Sequence, residues 1–179
     1  MTIDRNLPLV EEILGTFKDT IGADFIAYRN HVYRVVNFCY AAGAFGAEDK
    51  LKIQIAACFH DIGIWTDTTL DYLPPSEKAA AMYLAEAGRE AWIPEVTQMI
   101  EMHHRIRSCE DSACPLVEAF RRADVADFSL GLFKMGFPRD LILTLKSEFP
   151  NSGFHKRLAQ LGGWWLVKHP LNPLPMFRA

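Results

Sequence analysis

The sequence predicts an all-α fold, a single compact domain of about seven to eight helices over residues 1–179. Three observations carry this. Apolar residues recur at three- and four-residue intervals along most of the chain, with no run of strict alternation that would mark a strand. Pro8, Pro94 and Pro115 open periodic segments, and the glycines at 22, 43, 46, 63 and 88 end them. Half the residues are apolar and 23% charged, the ordinary mix of a folded domain, and 179 residues can bury a core without disulfides or structural metals.

Taken in order, the first helix is predicted from Pro8, a favourable first-turn residue, through Val10, Ile13, Leu14 and Phe17 to Gly22. A second, capped by Asp24, carries Tyr28, Val32, Val35, Val36 and Cys39 and ends at the glycines at 43 and 46. A third begins near Glu48 and runs through LKIQIAACFHDI to Gly63. The stretch IWTDTTLDYLPP reads as irregular, closed off by its two prolines, after which Ser76 caps a helix through Ala79, Met82 and Leu84 to Gly88. Another helix follows Pro94 with Val96, Met99, Ile100 and His103 inward. The segment from Pro115 to Leu130 places Leu116, Val117, Phe120 and Ala123 at core spacing. Two shorter helices, 138–148 and 152–168, precede the proline-rich tail HPLNPLPMFRA.

Several function classes are excluded at this level. The net charge of −3 is small and the basic residues are dispersed, so no footprint for a nucleic acid polymer is present. No basic, apolar leader opens the chain and no apolar run reaches about 20 residues, so no membrane partner is expected and the protein reads as cytoplasmic. Cys39, Cys58, Cys109 and Cys114 lack CxxC spacing and read as free thiols, buried where they fall in apolar stretches.

The informative residues are polar ones on the inner faces of helices. His60 follows Ile53, Ala56 and Ala57 by seven, four and three positions and so shares their face, with Asp61 beside it. Asp124 follows Val117 by seven and Phe120 by four, which sets a carboxylate on the inner stripe. His31 follows Tyr28 by three and precedes Val35 by four, at the edge of the apolar stripe. Each alone is compatible with a core histidine, a cap or an ion pair. Together, two imidazoles and two carboxylates suit a borderline divalent ion, because buried carboxylates need a cation and mixed N/O ligation favours such metals.

These residues resemble the HD-domain metal-dependent phosphohydrolase family, whose signature is a histidine, a His-Asp doublet on the next helix and a later aspartate. Here the matching segments are His31 in NHVYRVVNF, His60 and Asp61 in AACFHDIG, and Asp124 in RRADVADFS, over roughly residues 25–130. The resemblance implies a hydrolase in which His31, His60, Asp61 and Asp124 hold one divalent ion (Mn, Fe, Co, Ni, Zn or Mg). Ser76 stands where two-metal members carry a further histidine, which disfavours a second ion. Ile64-Trp65 replaces the acidic pair of the guanosine-tetraphosphate hydrolases, and the tandem-glycine motif of cyclic-dinucleotide esterases is absent. The expected substrate is a small phosphorylated metabolite or nucleotide.

Asp61 or the loop acid Asp67 is the expected general base. His103, with His104 a third of a turn away, is expected to meet the substrate, and Arg34, Arg105 and Arg107 to supply positive charge for phosphate. Asp127, three residues after Asp124, either orients a ligand or caps a neighbouring helix. Trp65 either stacks on a base or packs in the core. His155 and His169 read as incidental, and Trp164-Trp165 with the tail either packs over the domain or forms a homodimer contact. Two further functions remain open: hydration or cleavage of a nitrile- or amide-like molecule at the same metal, and a non-catalytic nucleotide sensor.

Overall fold

A computed structural model of the chain describes residues 2–105, 114–172 and 175. Its described residues form helices and no strand: α1 (Pro8–Thr16), the single turn α2 (Lys18–Ile21), α3 (Phe25–Ala42), α4 (Ala47–Phe59), the single turn α5 (Gly63–Thr66), α6 (Leu73–Glu86), α7 (Ile93–Met102), α8 (Pro115–Phe128), α9 (Arg139–Glu148) and α10 (Phe154–Lys168). Two 3-10 turns, Gly22–Asp24 and Glu90–Trp92, lead into α3 and α7. Eight of these helices are nine residues or longer, in keeping with the predicted all-α fold. None is long and apolar enough to cross a membrane.

The centre is built by α3 and α4. In α3, buried residues lie around nearly the whole circumference, including Tyr28, His31, Arg34, Val35 and Phe38. In α4 every residue from Ile53 to Phe59 is buried. Helices apolar all round must be enclosed by others. Accordingly α8 packs along α3, α7 packs on both α4 and α8, and α1 covers the far side of α4.

Local departures from the predicted elements have identifiable causes. The first helix breaks at Phe17, where that ring meets Phe59 edge-on at 5.7 Å, and only the turn α2 continues it. Asp24 occupies the N-cap position of α3 without capping it; its carboxylate instead accepts from Trp65 Nε1 and Arg157 Nε. The third predicted helix stops at Phe59, and a turn over His60–Ile62 separates it from α5. Pro74 and Pro75 open α6 rather than closing a loop, since first-turn residues need no intrahelical N–H partner. Ser76 is therefore no cap. It is fully buried on α6, and its hydroxyl accepts the Gly63 N–H at 3.0 Å.

That contact explains why residue 63 is glycine. A Cβ there would lie 2.6 Å from the Tyr72 carbonyl oxygen and 2.8 Å from Pro75 Cγ. Gly63→Ala is expected to destabilise the protein by about 1–3 kcal/mol through overpacking. Gly163→Ala, inside α10 with no atom within 4 Å, should instead raise stability by about 0.5–1 kcal/mol. Urea unfolding of both variants checks the pair; equal midpoints would show that the α5–α6 contact yields freely.

Candidate metal centre

Three segments of the core bring the four predicted ligands together. His31 lies on α3, His60 and Asp61 in the turn that ends α4, and Asp124 on α8. All four are at least 95% buried. His31 Nε2 lies 3.0 Å from His60 Nε2, 3.8 Å from Asp61 Oδ2 and 3.4 Å from Asp124 Oδ1. His60 Nε2 lies 3.4 Å from Asp61 Oδ2 and 3.7 Å from Asp124 Oδ1.

The second nitrogen of each ring decides what this cluster requires. His31 Nδ1 donates to Asp127 Oδ2 at 2.7 Å, and His60 Nδ1 donates to the Ala57 carbonyl at 2.8 Å. Both rings therefore turn Nε2 lone pairs toward each other and toward two carboxylates. Four electron-pair donors buried face to face are repulsive unless a cation sits among them. Donors about 2.0–2.2 Å from a shared ion stand about 3.0 Å apart at right angles and about 3.4 Å apart at the tetrahedral angle. The observed separations fall around these values, so the residues fit a divalent metal.

Beside this set lies a second feature. Asp61 Oδ1 and His103 Nε2 are buried, 3.6 Å apart and without hydrogen-bond partners among the described residues. His103 Nδ1 donates to the Ile100 carbonyl, which again leaves Nε2 pointing into the site. The Asp61, His103 and His104 ligand atoms also lie within 4.8 Å of one another.

The electrostatics follow from this packing. Burial alone would lower the pKa of His60, but Asp61, Asp124 and the Ala57 carbonyl raise it to about 9. Burial alone would raise the Asp61 carboxyl, but His60, His103 and His31 hold it well below the usual carboxylate range. Asp124 is likewise lowered against burial, chiefly by its hydrogen bond with His60. His104 is pushed down to about 3 by burial and by neighbouring His103, so it is neutral and accepts the hydrogen bond of the Tyr72 hydroxyl.

Residues 28–128 match the HD domain family. The chain belongs to this family. No curated protein and no solved structure matches it. The buried His/Asp cluster of this HD domain suggests a metal-dependent hydrolase site.

Within the HD domain the structure also reassigns several residues. Arg34, expected to bind phosphate, is 2% exposed and grips Asp127 with two bonds of 2.6 and 2.8 Å, while its Nη1 donates to the Phe149 carbonyl at 2.7 Å. A guanidinium so fully engaged is not available to a substrate. Asp127 thus orients His31 and does not act as a helix cap; burial opposes its ionisation, but His31 and Arg34 hold it well below the usual range. Asp67, the alternative base, is exposed at the end of α5, accepts from the Thr66 hydroxyl and is not brought to the cluster. Arg105 is exposed, with its carbonyl accepting from Arg121 Nη1. Arg107 and Cys109 lie outside the described residues; Cys39 and Cys58 are buried and Cys114 is half-buried.

Outside it, His155 is not incidental to packing: its Nε2 donates to the Phe128 carbonyl at 2.7 Å. His169 stacks on Trp165 at 4.0 Å. Two contributors escaped the sequence reading. Phe154, at the start of α10, stacks on the His31 ring at 4.3 Å, and Tyr72 holds His104. Neither has a periodicity signal, because each reaches the site from a loop or from a distant helix end.

Two outcomes follow for the isolated protein. Asp127→Asn should weaken binding of Mn²⁺ or Zn²⁺ about 10–100-fold, as loss of an orienting partner does; calorimetric titration showing wild-type affinity would remove Asp127 from that role. In metal-free protein, His60 has a folded pKa above its ordinary 6.5, so the stability it contributes is complete below about 6.5 and lost as pH rises through about 9. The melting temperature of chelator-treated protein should fall over that window, and added metal should suppress the fall.

Proposed function

We propose that this HD-domain protein is a one-metal phosphohydrolase acting on a small phosphorylated metabolite or nucleotide. The observation that carries the reading is the convergence of four buried donors, with lone pairs turned inward, beside the unpartnered Asp61 Oδ1 and His103 Nε2. His31, His60, Asp61 and Asp124 would hold the ion. When bound there, a divalent ion supplies Lewis-acid stabilisation of a phosphoryl group and acidifies water.

The protein's own groups account for the remaining work. Asp61 Oδ1 is the atom placed to take a proton from the attacking water, since its other oxygen faces the histidine pair. His103 Nε2 faces the same space and meets a substrate oxygen, as a donor when protonated. Tyr72 and neutral His104, bonded to each other and both in ring contact with His103, add no charge beside the site. Ser76, engaged with the Gly63 N–H, adds no ligand for a second ion.

One observation favours a second reading. The guanidinium buried beside the cluster, Arg34, is consumed by Asp127, so the cationic clamp expected for phosphate is missing at that place. A neutral substrate, such as a nitrile or amide-like molecule undergoing hydration or cleavage, needs no such clamp.

Elemental analysis of purified protein should find close to one divalent ion per chain, and little after Asp61→Ala. Across a panel of phosphomonoesters, nucleotides, nitriles and amides, wild-type turnover should require metal and favour a phosphate ester. Asp61→Ala and His103→Ala should lower that rate by about 10²–10⁴-fold. Turnover of nitriles or amides alone would select the second reading, and inactivity of metal-loaded protein on every class would falsify the enzyme.

A further inference from the structure

A cavity of about 820 Å³ opens between the Gly22–Asp24 turn, the loop after α5 and the middle of α10. Its size is that of a small-molecule site, about 300–1,000 Å³. Trp65 and Trp164 line it from two different elements, with Asp24, Arg157 and Gln160 between them. Trp164 is 54% exposed, with the Lys168 ammonium over one face of its ring at 4.0 Å.

The polar groups are set in a particular order. Trp65 Nε1 and Arg157 Nε both donate to the same oxygen of Asp24, Oδ2, at 3.1 and 2.8 Å. This fixes the carboxylate and the guanidinium side by side. It leaves Asp24 Oδ1 as an acceptor and the Arg157 Nη groups as donors, without partners among the described residues. Adjacent acceptor and donor match a ring whose N–H stands next to a C=O, the amide edge of a nucleobase. Trp65 and Trp164, which line the same cavity, are side chains of the kind on which such a ring stacks.

One buried aromatic ring separates the cavity from the candidate metal centre. The Trp65 ring packs at 4.6 Å on Tyr28, whose ring lies 6.1 Å from His60 and 6.4 Å from His31. Trp65 is four residues beyond Asp61 on the same turn-and-helix segment. A ligand seated against Trp65 is therefore one aromatic ring away from the ligands of the metal.

We propose that this cavity binds the nucleobase of a nucleoside or nucleotide, stacked between Trp65 and Trp164 and paired through its amide edge to Asp24 and Arg157. As the organic half of a substrate, it rests on the phosphohydrolase reading; as a binding site, it does not. Gln160 supplies a further donor and acceptor at the rim.

The test is titration of the full chain with adenosine, guanosine, cytidine and uridine, each without phosphate, followed by tryptophan fluorescence and calorimetry. Guanosine or uridine, which carry that amide edge, should saturate with one site per chain, and adenosine and cytidine, which lack it, should bind more weakly. Trp164→Ala and Gln160→Ala, both at exposed positions, should weaken the binding about tenfold or more in the case of Trp164, with metal content unchanged. Absence of saturable binding by guanosine and uridine overturns the proposal, as does preference for adenosine or cytidine, or binding that neither variant alters. Nucleoside binding without hydrolysis of any phosphate ester leaves this site standing and removes the hydrolase. Metal-dependent hydrolysis of glycerol phosphate without nucleoside binding does the reverse.

Discussion

The Asp127 carboxylate is the contact on which the metal centre and its surroundings depend. It accepts from His31 and, through both oxygens, from Arg34. These two residues lie three apart on α3, so one carboxylate on α8 sets the register of α3 and α8, the helix pair in most extensive mutual contact. It also fixes the tautomer of His31 and so aims a lone pair into the His/Asp cluster that could hold a metal ion. Arg34 then carries the constraint onward, since its remaining amine holds the Phe149 carbonyl and thereby the approach to α10.

This chain of contacts has an energetic logic. A buried guanidinium and a buried carboxylate are each costly alone, and removing either leaves the other uncompensated by about 3–5 kcal/mol. The cluster beyond them is worse, because it gathers donors of like polarity in a space with almost no water contact. Such an arrangement persists only where a cation resolves it, a proton between the imidazoles in the metal-free protein or a metal ion among all four groups. Stability and metal affinity are therefore linked at one place. The apolar rings of Phe154, Tyr28 and Phe120 around the histidines keep the dielectric low and sharpen both effects.

The helices were largely legible because their apolar spacing follows from the 3.6-residue turn alone. Their ends were less so. Prolines at 74 and 75 serve equally to close a loop or to open a helix, and only the position of Tyr72 against Gly63 makes the second arrangement the one adopted. Asp24 has the side chain of a helix cap, yet a tryptophan and an arginine far along the chain compete for it and win. Local rules cannot register partners that arrive from 41 and 133 residues away.

By itself, the sequence determined that four polar side chains lie inward on three helical segments, and that their order matches the HD pattern. Desolvation makes that inference local, since an inward histidine or aspartate must be compensated wherever its partner comes from. Tertiary structure alone decided which compensation each received. It assigned Asp127 to His31, withdrew Arg34 from the substrate, set Asp67 outside the cluster and left Asp61 Oδ1 and His103 Nε2 facing each other without partners. Those outcomes depend on distances of about 3 Å between segments remote in sequence, where hydrogen bonds form or fail. Periodicity sets the face on which a side chain lies, whereas only the packing of one helix against another sets what it meets.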